Sequence, residues 1–354
     1  MRGGALNWGM DHATVREITD QPAALAAMLD ELREREADLA SAVSPSDTFC
    51  VVGCGTSYYL SLSGSRLLDE AATSVAVPGG EVLVSPDALP DDVDVVVPVS
   101  RSGESTETVR ATETLVDRYP DATVLGVTCT AGSPIDDLAD VSLVSPEGAE
   151  ESVVMTKSFS SMLLAFEYLA RLVESSDGER EGVSDRFESV PSDSETVVER
   201  SEAVARELGE TTEFETFFFL GTAEHYGLAA EGMLKLEEMT LSWTKAYHPL
   251  EFRHGPRSIG DEETLVTLFL PDHGLDLLTD LVADIGDLGA TVLGIGTETA
   301  VDRVNPDYSV VIPDREDGRV PLYAPPFQLL GYYRAVALDL NPDDPQNLSQ
   351  VVTL

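Results

Sequence analysis

The sequence is poor in basic residues. Its 354 residues include 22 lysines and arginines against 64 aspartates and glutamates, which gives a formal net charge of −42 at pH 7. Such a charge repels phosphate backbones and anionic lipid headgroups, so we expect neither nucleic acid nor a membrane as a partner. No stretch reaches the roughly 18 consecutive apolar residues of a membrane span, and the N-terminal residues lack a signal-peptide core. These absences predict a cytoplasmic protein.

Cysteine and histidine are also scarce. The three cysteines, Cys50, Cys54 and Cys129, form neither a disulfide framework nor a C-x-x-C motif, and the five histidines include no H-x-x-x-H pair. Apolar neighbours on several of the cysteines suggest small core residues in a reducing compartment. We therefore predict no structural metal and no cofactor.

Lysine is almost eliminated. Only Lys157, Lys235 and Lys245 remain, while arginine supplies the other 19 of the 22 cationic side chains. A hydrophobic fraction of 43% favours a folded protein with an acidic surface over a disordered acidic chain. A surface of this kind suits high internal salt, because the Debye length is only about 3 Å at about 1 M salt. We predict an acidic, halophilic protein in which the remaining lysines have specific roles.

The chain contains an internal repeat with an offset of 168 residues. At this offset Phe49–Glu70 aligns with Phe217–Glu238, and seven positions are identical. The same offset places the ATVLG at 122–126 on the ATVLG at 290–294. Matching blocks in the same order indicate a tandem duplication.

Each half of the repeat alternates short apolar runs with helical patterns. In the first half the pattern predicts strands at 49–53, 93–99, 124–128 and 141–145, with helices over 58–70 and 104–118. In the second half it predicts strands at 216–220, 265–270, 292–295 and 309–312. Apolar strands separated by helices indicate buried parallel sheets. We therefore predict an α/β fold with two tandem doubly wound parallel-sheet domains.

Composition divides the chain further. We predict a helical lead-in over 1–45, a first domain over 46–173, an acidic linker rich in serine and glycine over 174–200, a second domain over 201–340 and a tail over 341–354.

The loop Gly53–Ser57 follows the first predicted strand, where ligands bind in open parallel sheets. It offers the hydroxyls of Thr56 and Ser57. It is not a dinucleotide fingerprint, because Tyr58 stands where the third glycine is needed. The alternative is a tight turn with structural hydroxyls.

The segment Ser100–Thr106 has four hydroxyls in seven residues, with Arg101 among them, and opens a predicted helix. Free backbone N–H groups and the helix dipole favour a phosphate there. The alternative is an ordinary capped helix start, which needs only one serine. The second half has LFLPDHGLD at the equivalent place, so we predict one phosphate site, in the first half.

Two further segments carry titratable groups. Glu231, Lys235 and Glu238 lie four and three residues apart on one face of a predicted helix, where they form either a surface ion-pair ladder or a general-base site. His254 lies in an EFRHGP loop and titrates near neutral pH, so it either moves protons or is a surface histidine.

These segments together resemble the sugar isomerase (SIS) family, and most of all the isomerase half of glutamine–fructose-6-phosphate aminotransferase. The resemblance covers nearly the whole chain and includes CGTSYY, SRSGESTET, MTKSFS, GTAEHYGLAAEGMLKLEEM, EFRHGP, PPFQLLGYYRA and PQNLSQVVT. It implies two SIS domains, which are flavodoxin-like.

The resemblance also implies a site. The residues that would hold the sugar phosphate are Thr56, Ser57, Ser100, Arg101, Ser102 and Ser105. Glu238 would move a proton between C1 and C2, with Lys235 one turn earlier as an active-site lysine. His254 would open the sugar ring from the neighbouring subunit, which implies a homodimer with shared active sites.

The sequence departs from the family pattern in three places. Arg2 stands where the glutamine-hydrolysing domain would begin with a cysteine, so we expect no ammonia from glutamine. Gln350 occupies the position of the family's Schiff-base lysine, and an amide cannot form an imine with a ketose. Met155 replaces a serine that borders the sugar in the family.

We therefore expect an isomerase and deaminase, or a deglycase, acting on a 6-phosphorylated amino sugar or an aminated ketose phosphate such as glucosamine 6-phosphate. One alternative is aminotransfer or isomerisation of fructose 6-phosphate with free ammonia or none. Another is a phosphosugar-sensing module without catalysis.

Overall fold

The computed structural model describes residues 12–175 and 182–354. In these ranges the chain forms two five-stranded sheets in which every adjacent pair of strands is parallel. Helices pack against both sheets. None of the helices in these ranges is both long enough and apolar enough to span a bilayer.

The first half contains five strands, β1 (Thr48–Gly53), β2 (Thr73–Pro78), β3 (Val95–Ser100), β4 (Thr123–Thr128) and β5 (Val141–Val144). Its helices are α1 (Ala13–Thr19), α2 (Gln21–Ala42), α3 (Thr56–Leu68), α4 (Gly79–Val84), α5 (Thr106–Arg118), α6 (Pro134–Leu138) and α7 (Lys157–Glu174).

The second half contains β6 (Thr216–Leu220), β7 (Trp243–Tyr247), β8 (Thr264–Phe269), β9 (Thr291–Gly296) and β10 (Tyr308–Val311). Its helices are α8 (Val190–Glu210), α9 (His225–Thr240), α10 (Leu275–Gly286), α11 (Glu298–Val304) and α12 (Ala324–Ala337).

Both sheets have the same strand order. The first runs β2-β1-β3-β4-β5, and the second runs β10-β9-β8-β6-β7, which is the same order counted within its own half. This is the flavodoxin-like doubly wound order, whose switch point lies between its first and third strands. The predicted α/β fold with two tandem doubly wound domains is confirmed.

The sequence patterns missed one strand in each half. These are β2 and β7, and each lies at an edge of its sheet. Edge strands contact the sheet on one side only, so β2 is mostly half-buried and β7 has a single buried residue, Thr244. Edge position is not the whole reason, because β5 and β10 also lie at edges and were predicted. The sequence of β2 begins with the polar residues Thr73 and Ser74, and β7 carries Thr244 and Lys245 in its middle, which breaks the apolar run that indicates a buried strand.

The region predicted as a linker contains part of a helix. Helix α8 begins at Val190 and buries an apolar stripe, including Val197 and Val198, in a chain segment that is otherwise rich in serine and glutamate. Residues 176–181 of the predicted linker and 1–11 of the predicted lead-in lie outside the described residues. The domain boundaries themselves remain a prediction.

A single apolar core joins the two halves. It includes side chains from both sheets and from α2, α7, α8 and α12. Helix α7 is buried along almost its whole length. The carboxylate of Glu167 on α7 accepts hydrogen bonds from the backbone N–H groups of Gly318, Arg319 and Val320, which fixes a loop of the second half against a helix of the first.

Helices α3 and α9 occupy equivalent places in the repeat and cross each other closely. A Cβ atom built at Gly227 would overlap the Ser63 hydroxyl and lie 2.7 Å from the Ser63 backbone nitrogen. The Ser63 hydroxyl donates a 2.6 Å hydrogen bond to the carbonyl of Glu224. This crossing brings the start of α3 close to the side chains of α9.

The duplication is visible in the backbone as well. Gly55, just before α3, has φ of +55°, and Ala223, its equivalent before α9, has φ of +52°. Alanine is strained in this left-handed region, where glycine is not. The two halves thus share a positive φ at this turn, which the second half adopts with an alanine.

Candidate active site

A cavity of about 400 Å³ opens at the carboxyl ends of β1 and β3. This is the switch point of the first sheet, where doubly wound folds bind their ligands. Both halves of the chain and the C-terminal tail contribute to its walls. The lining residues are Cys54, Gly55, Thr56, Ser57, Ser100, Arg101, Ser102, Ser105, Glu107, Val153, Met155, Lys235, Glu238, Leu348, Ser349, Gln350 and Val352.

The turn after β1 presents the first pair of predicted hydroxyls. Gly55, which has a positive φ, forms the turn before α3, and this helix begins at Thr56 in the cavity wall. The hydroxyl of Thr56 donates a 3.2 Å hydrogen bond to Oε1 of Glu231. The first half of the site is thereby tied to a carboxylate of the second.

The loop after β3 presents the serines. Its shape is held locally, because the Ser100 hydroxyl accepts from the N–H of Gly103 at 3.1 Å and the Ser102 hydroxyl accepts from the N–H of Glu104 at 3.2 Å. Ser105 precedes α5 without using its side chain as a cap. Each hydroxyl also carries a proton of its own, so the loop offers neutral donors beside a helix N-terminus, which is a suitable environment for an anion.

Helix α9 supplies the charged groups. The ammonium of Lys235 is almost fully buried, forms an ion pair with Glu238 and lies 3.4 Å from Oε1 of Glu231. Burial alone would lower the pKa of Lys235, but the two carboxylates outweigh it and the pKa is raised. Lys235 is therefore a charged ammonium, and it holds Glu238 at the cavity wall.

Glu231 lies behind this pair. Burial raises its pKa to about 8, although the Lys235 ammonium lowers it. Its Oε1 atom serves both Thr56 and Lys235, whereas its Oε2 atom has no hydrogen-bond partner among the described residues. Glu231 stood in the sequence pattern beside the predicted catalytic pair, but that pattern contained nothing to show that it is buried.

Arg101 lines the cavity, but its guanidinium already has partners. It forms a 3.0 Å ion pair with the fully buried carboxylate of Glu150 and donates to the backbone carbonyls of Val153, Val154 and Gln350. These contacts hold the loop before α7 and the tail together at the cavity edge.

The tail closes one side of the cavity. The Gln350 amide donates to the carbonyls of Glu150, Glu151 and Ser152 at 3.0–3.3 Å. The N–H of Thr106, in the first turn of α5, donates to the carbonyl of Val352 at 3.2 Å. The position expected for a Schiff-base lysine is thus at the cavity, and it is occupied by an amide that binds main-chain carbonyls.

His254 lies apart from the other predicted site residues. It is exposed, at the end of a 3₁₀ turn over Glu251–His254, and does not line the cavity. The structure therefore brings eight of the predicted residues together within one chain, and His254 is the exception.

The sequence analysis missed several cavity residues. Cys54, Glu107 and the apolar tail residues stood within recognised motifs but had been given no role, whereas Val153 carried no signal of its own. Met155 is in the cavity wall, as its place at the start of the MTKSFS motif suggested.

The second half has a cleft at its own switch point, related to the first by the repeat. Residues that are equivalent by the 168-residue offset line the two clefts. Glu70 lines the second cleft as Glu238 lines the first, and Glu224 lines the second as Thr56 lines the first. Its polar lining consists mainly of carboxylates and arginines that pair with carboxylates, including Arg319 with Asp272 and Arg171 with Asp317. The set of hydroxyls is found only in the first cleft among the described residues.

Known proteins resemble this chain over nearly its whole length. A family model described as SIS domain matches residues 43–172. The chain is 29% identical over 356 residues to glutamine–fructose-6-phosphate aminotransferase (isomerizing) of Thermococcus kodakarensis, covering 98% of this chain and 58% of that protein. The protein of that name from Methanothermobacter thermautotrophicus is also 29% identical. The chain thus spans about three fifths of the length of these curated relatives.

Solved structures with this fold include whole chains of similar length. A glucosamine-6-phosphate deaminase from Thermotoga maritima is 30% identical, with a TM-score of 0.77, and the match covers 97% of this chain and all of that one. A tagatose-6-phosphate ketose/aldose isomerase from Escherichia coli has a TM-score of 0.83 at 23% identity, with 95% of each chain covered, and this shows the shared fold alone.

Proposed function

The chain belongs to the SIS domain family of phosphosugar isomerases, and on that basis we propose that it is an isomerase and deaminase of a 6-phosphorylated amino sugar, with glucosamine 6-phosphate as the leading substrate. The observation that carries the proposal is the meeting, in one cavity, of the Ser100–Ser105 hydroxyls of the first half with the Lys235–Glu238 pair of the second. The reaction needs a binding site for the phosphate at one end of the sugar and an acid–base carboxylate at C1 and C2 at the other end.

The phosphate would lie in the hydroxyl-rich part of the cavity. Thr56, Ser57, Ser100, Ser102 and Ser105 offer neutral donors, and the first turns of α3 and α5 add backbone N–H groups and favourable helix dipoles. Arg101, which we predicted as a direct ligand, contributes its charge from the cavity wall while its donors hold the loop before α7 and the tail.

Proton transfer would fall to Glu238. In the open-chain amino sugar, the carboxylate removes the proton from C2, the electrons move through C1 to the carbonyl oxygen, and this oxygen takes a proton from solvent to give an enolamine. Return of the first proton to C1, with loss of a proton from the nitrogen to solvent, leaves an imine at C2. Water adds to this imine, the C2–N bond breaks and ammonia leaves, so that the ketose phosphate is the product. Lys235 forms an ion pair with Glu238 and holds it in place before the transfer.

The nitrogen chemistry follows from Gln350. An amide cannot form an imine with a substrate carbonyl, and here it is engaged with three main-chain carbonyls. A substrate that already carries nitrogen at C2 forms its imine without help from a lysine. Deamination is therefore favoured over the amination of a ketose that the longer curated relatives are named for.

His254 completes the proposal through a second copy of the chain. It is exposed and outside the cavity of its own chain. We propose that a homodimer places it over the partner's cavity, where it would open the sugar ring.

The test is ammonia release from glucosamine 6-phosphate in molar KCl. Glu238→Gln should reduce turnover by at least about 100-fold, the usual effect of losing a general base, while an unreactive sugar phosphate still binds. The matched control is Glu237→Gln, which removes the neighbouring carboxylate on α9 without touching the cavity lining, and it should keep wild-type activity.

Three other results would redirect the proposal. Full activity in Glu238→Gln would remove the assigned role of this residue. Formation of amino sugar from fructose 6-phosphate and ammonium without the reverse reaction would favour the synthetic direction. Tight calorimetric binding with no turnover of any sugar phosphate would indicate a sensing module.

A further inference from the structure

The Thr56 hydroxyl has two possible hydrogen-bond acceptors at the cavity, the substrate phosphate and Glu231. Thr56 is a candidate donor to the substrate phosphate, and in this structure its hydroxyl donates to Oε1 of Glu231. A threonine hydroxyl carries a single proton, so it cannot donate to both groups at once. If the phosphate takes this bond, Glu231 loses its acceptor contact with Thr56.

Glu231 is badly placed to remain charged after that loss. Its carboxylate is fully buried, and its Oε2 atom has no partner among the described residues. The remaining stabilising group is the ammonium of Lys235, at 3.4 Å, which it shares with Glu238 on the same helix. From α3, the phenol of Tyr59 is close enough for Glu231 to raise the phenol's pKa. Tyr59 adds no positive charge.

The cavity also lacks positive charge to offset a dianion. Its lining contains two cations, Arg101 and Lys235, and two carboxylates, Glu107 and Glu238. Behind the lining, Glu150 already pairs with Arg101, and Glu231 shares Lys235. A phosphate ester adds up to about two negative charges at neutral pH, and like charges raise the proton affinity of a nearby carboxylate.

We propose that binding of the substrate phosphate completes the protonation of Glu231 by proton uptake from solvent, so that phosphate occupancy in the first half sets the charge beside the catalytic pair in the second. This inference rests on the proposed function, because it takes the hydroxyl-rich end of the cavity as the phosphate site. With Glu231 neutral, Lys235 is left with Glu238 as its one counter-charge.

The starting state of Glu231 makes the uptake measurable. With a pKa raised to about 8 in the free protein, the carboxyl is about half ionised near pH 8. A phosphate monoester is almost entirely dianionic there, since its second pKa is about 6. Protons taken up on binding at this pH therefore come to the protein and not to the ligand.

The experiment is titration calorimetry of glucitol 6-phosphate, which has no carbonyl and cannot react, at about pH 8 in molar KCl. Repeating it in buffers of different ionisation enthalpy gives the number of protons taken up for each ligand bound. We expect about half a proton for the wild-type protein and close to none for Glu231→Gln. The matched control is Ser102→Ala, which removes a hydroxyl from the cavity without a contact to Glu231. It should bind more weakly but take up the same amount for each ligand.

The outcomes separate the two proposals. Binding without proton uptake, or unchanged uptake in Glu231→Gln, overturns the role of Glu231 and leaves the proposed function standing. Failure of any sugar phosphate to bind overturns both. Should Glu231→Gln not fold, infrared difference spectra of the wild-type protein decide the matter. Ligand binding must then produce a new protonated-carboxyl band, and its absence overturns the inference.

Discussion

The buried carboxyl of Glu231 predicts a measurable pH dependence of stability. The pKa of Glu231 is raised by burial from 4.5 to about 8 in the folded protein. Between these two values the native state keeps the proton and the unfolded state has lost it. The unfolded state then binds fewer protons, so the free energy of unfolding falls as the pH rises through this range.

The size of the effect follows from the pKa difference. Each pH unit between the two values corresponds to about 1.4 kcal/mol, and the whole shift to about 5 kcal/mol. Glu231→Gln keeps the shape of the side chain and the acceptor for Thr56 but cannot ionise. Its stability relative to the wild-type protein should therefore improve by about 4 kcal/mol between pH 5 and pH 8.

Urea denaturation at several pH values in molar KCl measures this difference. Other buried acids, including Glu167, whose pKa burial raises to about 7, contribute equally to both proteins and cancel in the comparison. Glu237→Gln is the control and should follow the wild-type curve. If the curves for Glu231→Gln and the wild-type protein run parallel from pH 5 to pH 8, Glu231 is not a neutral buried acid and the reasoning fails.

Three further predictions concern other parts of the site. Gly227→Ala forces α3 and α9 apart, because a Cβ would overlap Ser63. Gly227→Ala should lower the free energy of unfolding by about 1–3 kcal/mol in denaturant titrations and should remove most of the activity. Gly286→Ala, whose Cβ would meet open space, should leave both stability and activity unchanged. Equal effects of the two substitutions would refute the close crossing of α3 and α9. Iodoacetamide should modify Cys54 first, since burial raises the pKa of Cys50 to about 12 and also raises the pKa of Cys129. Glucitol 6-phosphate should slow the modification of Cys54, as followed by mass spectrometry. An unchanged rate under saturating ligand would mean that the ligand binds elsewhere. Gln350→Ala removes the amide that binds the backbone carbonyls of residues 150–152. The loss of about 1 kcal/mol of hydrogen bonding should weaken sugar-phosphate binding about fivefold, as measured by calorimetry. An unchanged affinity would mean that the tail does not shape the site.

Local patterns were sufficient for the central strands and the phosphate-loop motifs. The buried strands read as continuous apolar runs, and the loops after β1 and β3 read as glycine- and serine-rich helix starts. The resemblance to the SIS family implied that Thr56 and Ser100 share one phosphate site, and both residues line the same cavity. The edge strands β2 and β7 were missed because polar residues in their sequences, TSVAVP and WTKAY, break the apolar pattern.

The roles of the charged residues were less accessible. The spacing of Glu231, Lys235 and Glu238 showed a common helix face, and a surface ladder has the same spacing. The crossing at Gly227 buries this face against α3. Arg101 was predicted to bind the phosphate directly, but its guanidinium pairs with Glu150. This partner is 49 residues away in sequence, so the sequence pattern around Arg101 gave no sign of it.

The sequence by itself determined the repeat, the two parallel sheets and the chemical types available at the first switch point, since these depend on residue periodicity and on short loops. The tertiary structure alone decided that a carboxyl of the second half accepts from Thr56, that the tail closes the cavity and that the second cleft is lined by paired charges. Each of these depends on the packing of segments that are distant in sequence, and burial, which sets the proton affinity of Glu231, exists only once those segments meet.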